Sequence, residues 1–426
     1  MNSVELSARF FLQLGVIAAA GAVCSRLGKR LLQPPVVCEM VAGVLLGPSL
    51  LGLLAPRFSA WLFPHEAMGM LFTISQLGLA LYMFCVGLEF RTELLTEGWK
   101  ASLSVSLSGI AAPLALGAAA GAVLHGHPGF FPPEVLRWQA MLFGGAAVCI
   151  TAFPMLARII VERGLAGTRI GTVALGAGAC DDVAAWGMLA VLVAVFTRDP
   201  RVALLAVGGG ALYTLVVLFG VRPLAKRLVE WAGPAALGGE GLIAVLTALM
   251  AACWLTETIR LYAVFGSFLL GLAMPRGAFS QRLFSRIEPL TTALLLPTFF
   301  AYSGLSTRLG LLDTPALWLV TLGVLLMSTA AKGAACGAAA RLSGYTWPEA
   351  AAVGTLMNAR GLMELILLNI ALERRLITQT TFTIYVLMAV ATTLAASPLF
   401  ELVRPWIGEA QPGALKTDPA LEKTAV

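Results

Sequence analysis

Charged side chains are scarce in this 426-residue chain, because Asp, Glu, Lys and Arg together make up only 12% of it. A typical soluble domain contains about 25%. Apolar residues reach 58% instead, against roughly 45–50% in soluble domains. This composition excludes an ordinary soluble enzyme and indicates a protein that lies in a membrane.

The chain also lacks the signals of several other classes. Its seven cysteines all lie inside apolar runs and have no metal-type spacing, so neither a disulfide framework nor a zinc site is expected. The net charge of +6 comes from basic residues in short loops, where such residues set membrane orientation. We therefore expect no nucleic-acid partner and no cofactor.

Most of the chain divides into apolar runs of about 18 residues or more, each long enough to cross a hydrocarbon core of roughly 30 Å. The 44 glycines and 22 prolines favour close-packed, locally broken helices. We predict an all-α polytopic membrane protein with about 13 transmembrane helices. The predicted spans, numbered 1 to 13, cover residues 6–25, 34–54, 67–88, 100–124, 138–161, 169–196, 202–221, 239–258, 261–275, 287–306, 315–340, 348–371 and 379–403.

Lys and Arg are concentrated in the odd-numbered loops, which hold fifteen of them against eight in the even-numbered loops. Since cytoplasmic loops carry an excess of these residues, the bias predicts an N-terminus outside and a C-terminus in the cytoplasm. Residues 404–426 would form a short polar tail. We expect an integral protein of a bacterial-type cell (inner) membrane.

Ionisable residues near mid-membrane are few. Asp181 and Asp182 in span 6 lie about a dozen residues past Arg169, roughly 18 Å deep at about 1.5 Å per residue. Lys332 in span 11 lies at a similar depth. Adjacent helix residues point about 100° apart, so we expect Lys332 to pair with one aspartate while the other faces an aqueous cavity. A pair that only fixes helix packing is the alternative, but it leaves one acid uncompensated.

Two spans are predicted to be broken at mid-depth. Span 5 contains Thr151-Ala152-Phe153-Pro154, and proline removes a backbone hydrogen bond there. An ordinary kink is the alternative for Pro154 alone. Span 12 contains Asn358-Ala359-Arg360-Gly361, and Glu364 follows Arg360 at ion-pairing spacing. Unwound backbone at this depth offers carbonyls and half-helix dipoles to an ion.

Spans 5 and 12 are seven apart, and an odd separation means that they cross the membrane in opposite directions. Spans 4–6 then correspond to spans 11–13 in an inverted repeat. Secondary transporters are commonly built in this way, with the broken helices beside the substrate.

Several motifs resemble those of the monovalent cation/proton antiporter superfamily, and in particular the sodium, potassium/proton exchangers of its second branch. The resemblance extends from about residue 30 to about residue 400. Ala359 departs from it, because the family often has a hydroxyl residue there. The motifs are PPVVCEM (34–40) with AGVLLGPS (42–49), LYMFCVGLE (81–89), TAFP (151–154), ACDDV (179–183) with Ala185 and Trp186, and MNARGLMEL (357–365) with Leu368 and Asn369.

The resemblance implies a homodimer in the lipid bilayer whose six-helix core moves against a dimerisation domain, carrying Na⁺ or K⁺ one way and H⁺ the other. It implies that Asp182 is the main cation and proton carrier, that Asp181 is the partner of Lys332, and that Thr151 is a neighbouring oxygen ligand. The expected parts are dimerisation and scaffold helices (1–99), the first core half (100–196), a linker with scaffold helices (197–314), the second core half (315–403) and the tail (404–426).

The residues themselves indicate how such exchange would work. Hard monovalent cations prefer oxygen ligands, and a midplane carboxylate can hold a proton or a cation but hardly both. Competition for one site is antiport, which is not an enzymatic reaction. We also expect Arg360 and Glu364 to form an ion pair that takes part in coupling. The breaks would contribute backbone groups at Ala152, Pro154, Asn358 and Gly361.

Two other classes fit parts of the pattern. A cation channel can also contain broken helices and acids, although it needs neither proton coupling nor a buried lysine. An intramembrane aspartyl protease needs two acids that share one water, and adjacent acids on a helix point apart. Fluxes in sealed vesicles separate these classes, because a channel dissipates a Na⁺ gradient without moving protons and a protease cleaves a helix.

Overall fold

The computed structural model describes residues 3–30, 33, 35–89, 98–165, 168–196, 200–233, 238–259 and 262–407. These residues form an all-helical protein, which confirms the predicted fold class. Within them, eight helices are long and apolar enough to cross a membrane, and several shorter apolar helices accompany them. The predicted loop residues 90–97 and the tail beyond residue 407 lie outside the described residues.

Nineteen α-helices occur in the described ranges, and two of the junctions between them are π-helical turns. Val216–Val221 continues α10 into α11, and Thr291–Leu295 continues α14 into α15. The helices are α1 (Ser3–Arg30), α2 (Pro35–Leu46), α3 (Leu51–Leu54), α4 (Pro56–Leu62), α5 (Met68–Glu89), α6 (Trp99–His125), α7 (Arg137–Cys149), α8 (Phe153–Glu162), α9 (Arg169–Phe196), α10 (Pro200–Leu215), α11 (Arg222–Ala232), α12 (Gly239–Thr258), α13 (Ala263–Ala273), α14 (Ala278–Leu290), α15 (Leu296–Leu305), α16 (Pro315–Leu342), α17 (Trp347–Leu356), α18 (Leu362–Glu373) and α19 (Gln379–Val403).

Span 7 differs from its predicted bounds. The sequence predicts an end at residue 221, but the helix continues to Ala232 as α11. The charged residues there end the apolar run without ending the helix, because Lys226 and Glu230 are one turn apart, with Nζ and Oε1 separated by 3.9 Å. The basic residues at 222–227, which the sequence places in a loop, therefore lie on a helix.

The described chain divides into two compact units. Unit 1 comprises Met1–Leu31, Pro35–Phe90 and Trp186–Asp313. Within it α15 packs against α2 and α5, and α13 packs against α5. A Cβ on Gly43 of α2 or on Gly304 of α15 would collide with the backbone of the other helix. These two helices thus meet at backbone contact, as small residues allow in membrane helices.

Unit 2 comprises Leu32–Pro34, Arg91–Ala185 and Thr314–Val426. In it α6 packs against α7 and α16, while α19 packs against α16, α17 and α18. One order of helices occurs twice: the continuous α6, the interrupted α7 and α8 and the continuous α9 are followed later by α16, α17 with α18, and α19. This is the order that the predicted repeat requires.

Contacts at the helix ends give the directions of the two interrupted helices. The hydroxyl of Thr378, just after α18, donates to the carbonyl of Phe130, ahead of α7, at 3.0 Å. On the other side Arg169, which follows α8, donates to the carbonyl of Gly344, ahead of α17, at 3.2 Å. The start of each interrupted helix therefore lies beside the end of the other, and the two are antiparallel, as predicted.

Candidate functional site

Both predicted breaks are present. The first separates α7, which ends at Cys149, from α8, which begins at Phe153. The second separates α17, which ends at Leu356, from α18, which begins at Leu362. Pro154 is the second residue of α8, where a missing N–H costs no intrahelical hydrogen bond. Its side chain lies outside the described residues.

The two breaks cross and satisfy each other's backbone. The amide of Ala152 donates to the carbonyl of Ala359 at 3.0 Å, and the hydroxyl of Thr151 donates to the carbonyl of Met357 at 3.1 Å. All these groups are buried, and unwound backbone inside a membrane protein needs such partners. Gly361 closes the crossing, because a Cβ there would lie 2.9 Å from Met155 Cγ.

Asp181 is fully paired. Its Oδ2 lies 2.8 Å from Lys332 Nζ, and both side chains are completely buried. Its Oδ1 accepts a 2.6 Å hydrogen bond from Ser106 of α6. Lys332 also donates to the carbonyl of Cys149. Sequence reasoning did not identify Ser106, because α6 carries four serines between residues 102 and 108 and the sequence does not show which of them faces Asp181.

Asp182 has a different environment, although it is equally buried. Its Oδ1 accepts a long 3.4 Å hydrogen bond from the amide of Phe153, the first residue of α8. Helix N-termini favour negative charge. Its Oδ2 has no hydrogen-bond partner, and no ion pair found among the described residues includes it. The hydroxyl of Thr151, at the adjacent break, is directed to Met357 instead.

Arg360 and Glu364 lie at the start of α18. The Arg360 guanidinium donates to the carbonyls of Val148 and Ala147, at 2.5 Å and 3.3 Å, and Lys332 donates to the next carbonyl. Two cations thus cover the C-terminal end of α7, where the helix dipole is negative. Glu364 Oε2 lies 3.5 Å from the same guanidinium.

Other polar groups complete the crossing. The backbone N–H of Arg360 donates to the Thr393 hydroxyl of α19 at 3.0 Å, and that hydroxyl lies 2.9 Å from the Arg360 carbonyl. The amide nitrogen of Asn358 donates to the Gly354 carbonyl at 3.0 Å, whereas its amide oxygen is buried without a partner. The structure thus gathers the predicted residues around one crossing in unit 2.

The buried charges of this site do not balance. Three acids, Asp181, Asp182 and Glu364, face two bases, Lys332 and Arg360. If all five were ionised, one negative charge would have no counter-ion, which is costly inside a protein. Only Asp182 has no base beside it in the ion pairs given above. A proton or a monovalent cation at Asp182 would neutralise this charge.

Known proteins resemble this chain over nearly its whole length. A family model described as "Sodium/hydrogen exchanger, transmembrane" matches residues 15–403. The chain is 38% identical to the Na(+)/H(+) antiporter NhaS4 of Synechocystis sp., over 92% of this chain and 96% of that protein. It is 34% identical to Cation/H(+) antiporter 18 of Arabidopsis thaliana, over 91% of this chain but only 48% of that protein.

The solved structures with a similar fold include that of the sodium proton antiporter MjNhaP1 from Methanocaldococcus jannaschii at pH 8. The TM-score is 0.67 over 95% of this chain and 100% of that chain, at 15% sequence identity. At this identity the likeness bears on the fold alone.

Proposed function

The chain belongs to the transmembrane sodium/hydrogen exchanger family, and from that premise we propose that it is a secondary active antiporter. It exchanges a monovalent cation, Na⁺ and/or K⁺, for protons by alternating access. The observation that carries this proposal is the buried Asp182 oxygen that has no partner. One carboxylate that is neutralised by either a proton or a cation couples the two fluxes without any covalent step.

The residues around Asp182 have separate roles in this scheme. Asp182 is the carrier, and Thr151 supplies a hydroxyl oxygen from the neighbouring break. Asp181 and Lys332 form a fixed pair, supported by their 2.8 Å contact, which keeps Lys332 away from the carrier. Ala152, Pro154, Asn358 and Gly361 shape the backbone of the crossing. Hard monovalent cations prefer oxygen ligands such as the Asp182 carboxylate and the Thr151 hydroxyl.

We also assign roles to the two units. Unit 2 is the transport core, because every site residue lies in it, and unit 1 is the scaffold through which two copies form a homodimer in the lipid bilayer. The protein lies in a bacterial-type inner membrane, with its N-terminus outside and its C-terminus in the cytoplasm. The excess of Lys and Arg in the odd-numbered loops supports this orientation.

The test is exchange in proteoliposomes with a trapped pH dye, measured over a series of cation concentrations across about three pH units around neutrality. Because protons compete with the cation at Asp182, the half-saturating cation concentration should rise as the pH falls. A maximal rate that collapses at an unchanged half-saturating concentration would reject the shared site. Dissipation of a Na⁺ gradient without proton movement would indicate a channel.

A further inference from the structure

Glu364 is the least satisfied carboxyl group of the site besides Asp182. Its side chain is only 1% exposed, and Oε1 has no hydrogen-bond partner. Its other oxygen has a single contact, 3.5 Å from the Arg360 guanidinium, which is the outer limit of a hydrogen bond. Asp181, by comparison, accepts bonds of 2.6 Å and 2.8 Å.

Arg360 forms an ion pair with Glu364 at 3.5 Å but compensates a charge on it only partly in this geometry. Its guanidinium approaches the Val148 carbonyl at 2.5 Å, a full 1.0 Å closer than it approaches Glu364. Its Nε has no partner at all, although it is buried. Arg360 therefore acts here as a cap on the end of α7, and the pairing with Glu364 that the i,i+4 spacing predicts is only partly made.

Among the described residues, no other base is free to pair with Glu364. Lys332 of α16 lies in electrostatic range of Glu364 but is bound to Asp181 and to the Cys149 carbonyl. Tyr385 of α19 also lies in range, and its buried hydroxyl has no partner. An ionised carboxylate without full partners is unfavourable in such surroundings, whereas a neutral carboxyl group carries a smaller penalty.

We propose that Glu364 is a proton-only site, separate from Asp182, and that its proton controls Arg360. While Glu364 is protonated, Arg360 caps the Ala147 and Val148 carbonyls. When the proton leaves to water, the carboxylate draws the guanidinium away from α7 and loosens the crossing. A metal cation does not take the place of the proton, because the guanidinium already lies 3.5 Å from the carboxyl group and repels it.

This inference rests on the proposed antiport for its consequence but not for its test. It gives exchange a second pH dependence, in which the maximal rate responds to Glu364 at every cation concentration while Asp182 governs the half-saturating concentration. Its direct test is infrared spectroscopy of the purified full chain, which detects the C=O stretch of a protonated carboxyl group and needs no transport.

The comparison is made in a D182N background, which removes the other unpaired carboxyl group. A carboxylic acid band should be present in D182N and missing from D182N with E364Q, and saturating Na⁺ or K⁺ should leave the band unchanged. The control is D182N with E230Q, at an exposed glutamate whose side chain is 63% accessible, and the band should persist there. Identical spectra with and without Glu364, or a band that the cations remove, would overturn the proposal.

A second variant covers the case in which E364Q does not fold. E364D keeps a carboxyl group but moves it closer to the helix axis, so the band should remain and shift in frequency. An unshifted band would assign it to another group and reject the proton at Glu364. In otherwise wild-type chain, E364Q should flatten the pH dependence of the maximal exchange rate while the half-saturating cation concentration still varies with pH.

Discussion

Asp181 and Asp182 are adjacent in the sequence but have opposite surroundings. Asp181 accepts from Lys332 and Ser106 on two other helices, whereas Asp182 faces the start of α8 with one oxygen unpaired. The rotation of about 100° between neighbouring helix residues is sufficient to separate them. A fully paired carboxylate and a carboxylate with an unpaired oxygen can thus occupy one turn of helix.

Replacing Asp182 by asparagine should abolish exchange while the protein still folds. The amide has nearly the same shape as the carboxyl group, but it cannot release a proton and does not carry the charge that holds a cation. Proteoliposome exchange and gel filtration test this, with Asp313→Asn, in an exposed loop, as the matched control. Exchange at the wild-type rate in Asp182→Asn would show that the carrier is another group.

Replacing Lys332 by alanine should lower both stability and activity. Breaking a buried ion pair costs about 3–5 kcal/mol, since Asp181 is left charged without a partner. Lys226→Ala is the control, because that lysine pairs with Glu230 on the surface, where such pairs contribute only about 0–1 kcal/mol. Thermal unfolding in detergent compares the two variants, and equal melting temperatures would show that the buried pair contributes nothing.

At the scale of the helices, the sequence predicts where the two interrupted helices break but not how the breaks meet. Pro154 and the polar run at 358–361 mark the positions. The contact itself joins the backbone amide of Ala152 to the backbone carbonyl of Ala359, and alanine carries no side-chain signal for it. The contacts of Arg360 are also only partly predictable. The i,i+4 spacing predicts Glu364 as its partner, whereas the guanidinium lies closer to carbonyl oxygens of α7.

Helix ends were also only partly predictable. Hydropathy locates the apolar part of a helix, and the bounds of α19 agree with the predicted 379–403. It does not locate the end of a helix that leaves the apolar region as an amphipathic segment, and α11 is such a segment. The Ser106 contact shows the same limit, because the partner of a small hydroxyl residue depends on packing between distant helices.

Replacing Thr393 by valine should weaken the crossing from the side of α19. Valine has almost the same shape, but it leaves the buried N–H of Arg360 unpaired, and an unsatisfied buried group costs about 1–3 kcal/mol. Thr392→Val is the matched control, because that hydroxyl bonds only to Ala389 in its own helix. We expect a lower melting temperature for Thr393→Val than for the control, and the reverse order would contradict the role of Thr393.

At the scale of the whole molecule, unit 1 is formed by three segments of the sequence. The two long segments of unit 2, Arg91–Ala185 and Thr314–Val426, lie between the second and third of these segments and after the third. The first half of unit 2 carries the aspartates and the second half carries the lysine and the arginine. Neither half contains a complete site. The residues of the candidate site are therefore encoded by two distant parts of the gene.

Membrane orientation is testable on the whole chain. Single cysteines introduced near residues 160 and 280 should be protected from an impermeant thiol reagent added to intact cells, while those near residues 130 and 312 should be labelled. The reason is the excess of Lys and Arg in the odd-numbered loops. The background needs its seven native cysteines replaced. A clear reversal at any one of the four positions would contradict the thirteen-span arrangement with its N-terminus outside.

The crossing of the two breaks also has a consequence for biosynthesis. Thr151 and Met357 are 206 residues apart, and a ribosome that adds about 5–20 residues per second needs about 10–40 s to cover that distance. During this interval the polar backbone groups of the first break lack their hydrogen-bond partners, because the second break has not yet been synthesised. The nascent first half therefore depends on water, lipid headgroups or the insertion machinery until the second half emerges.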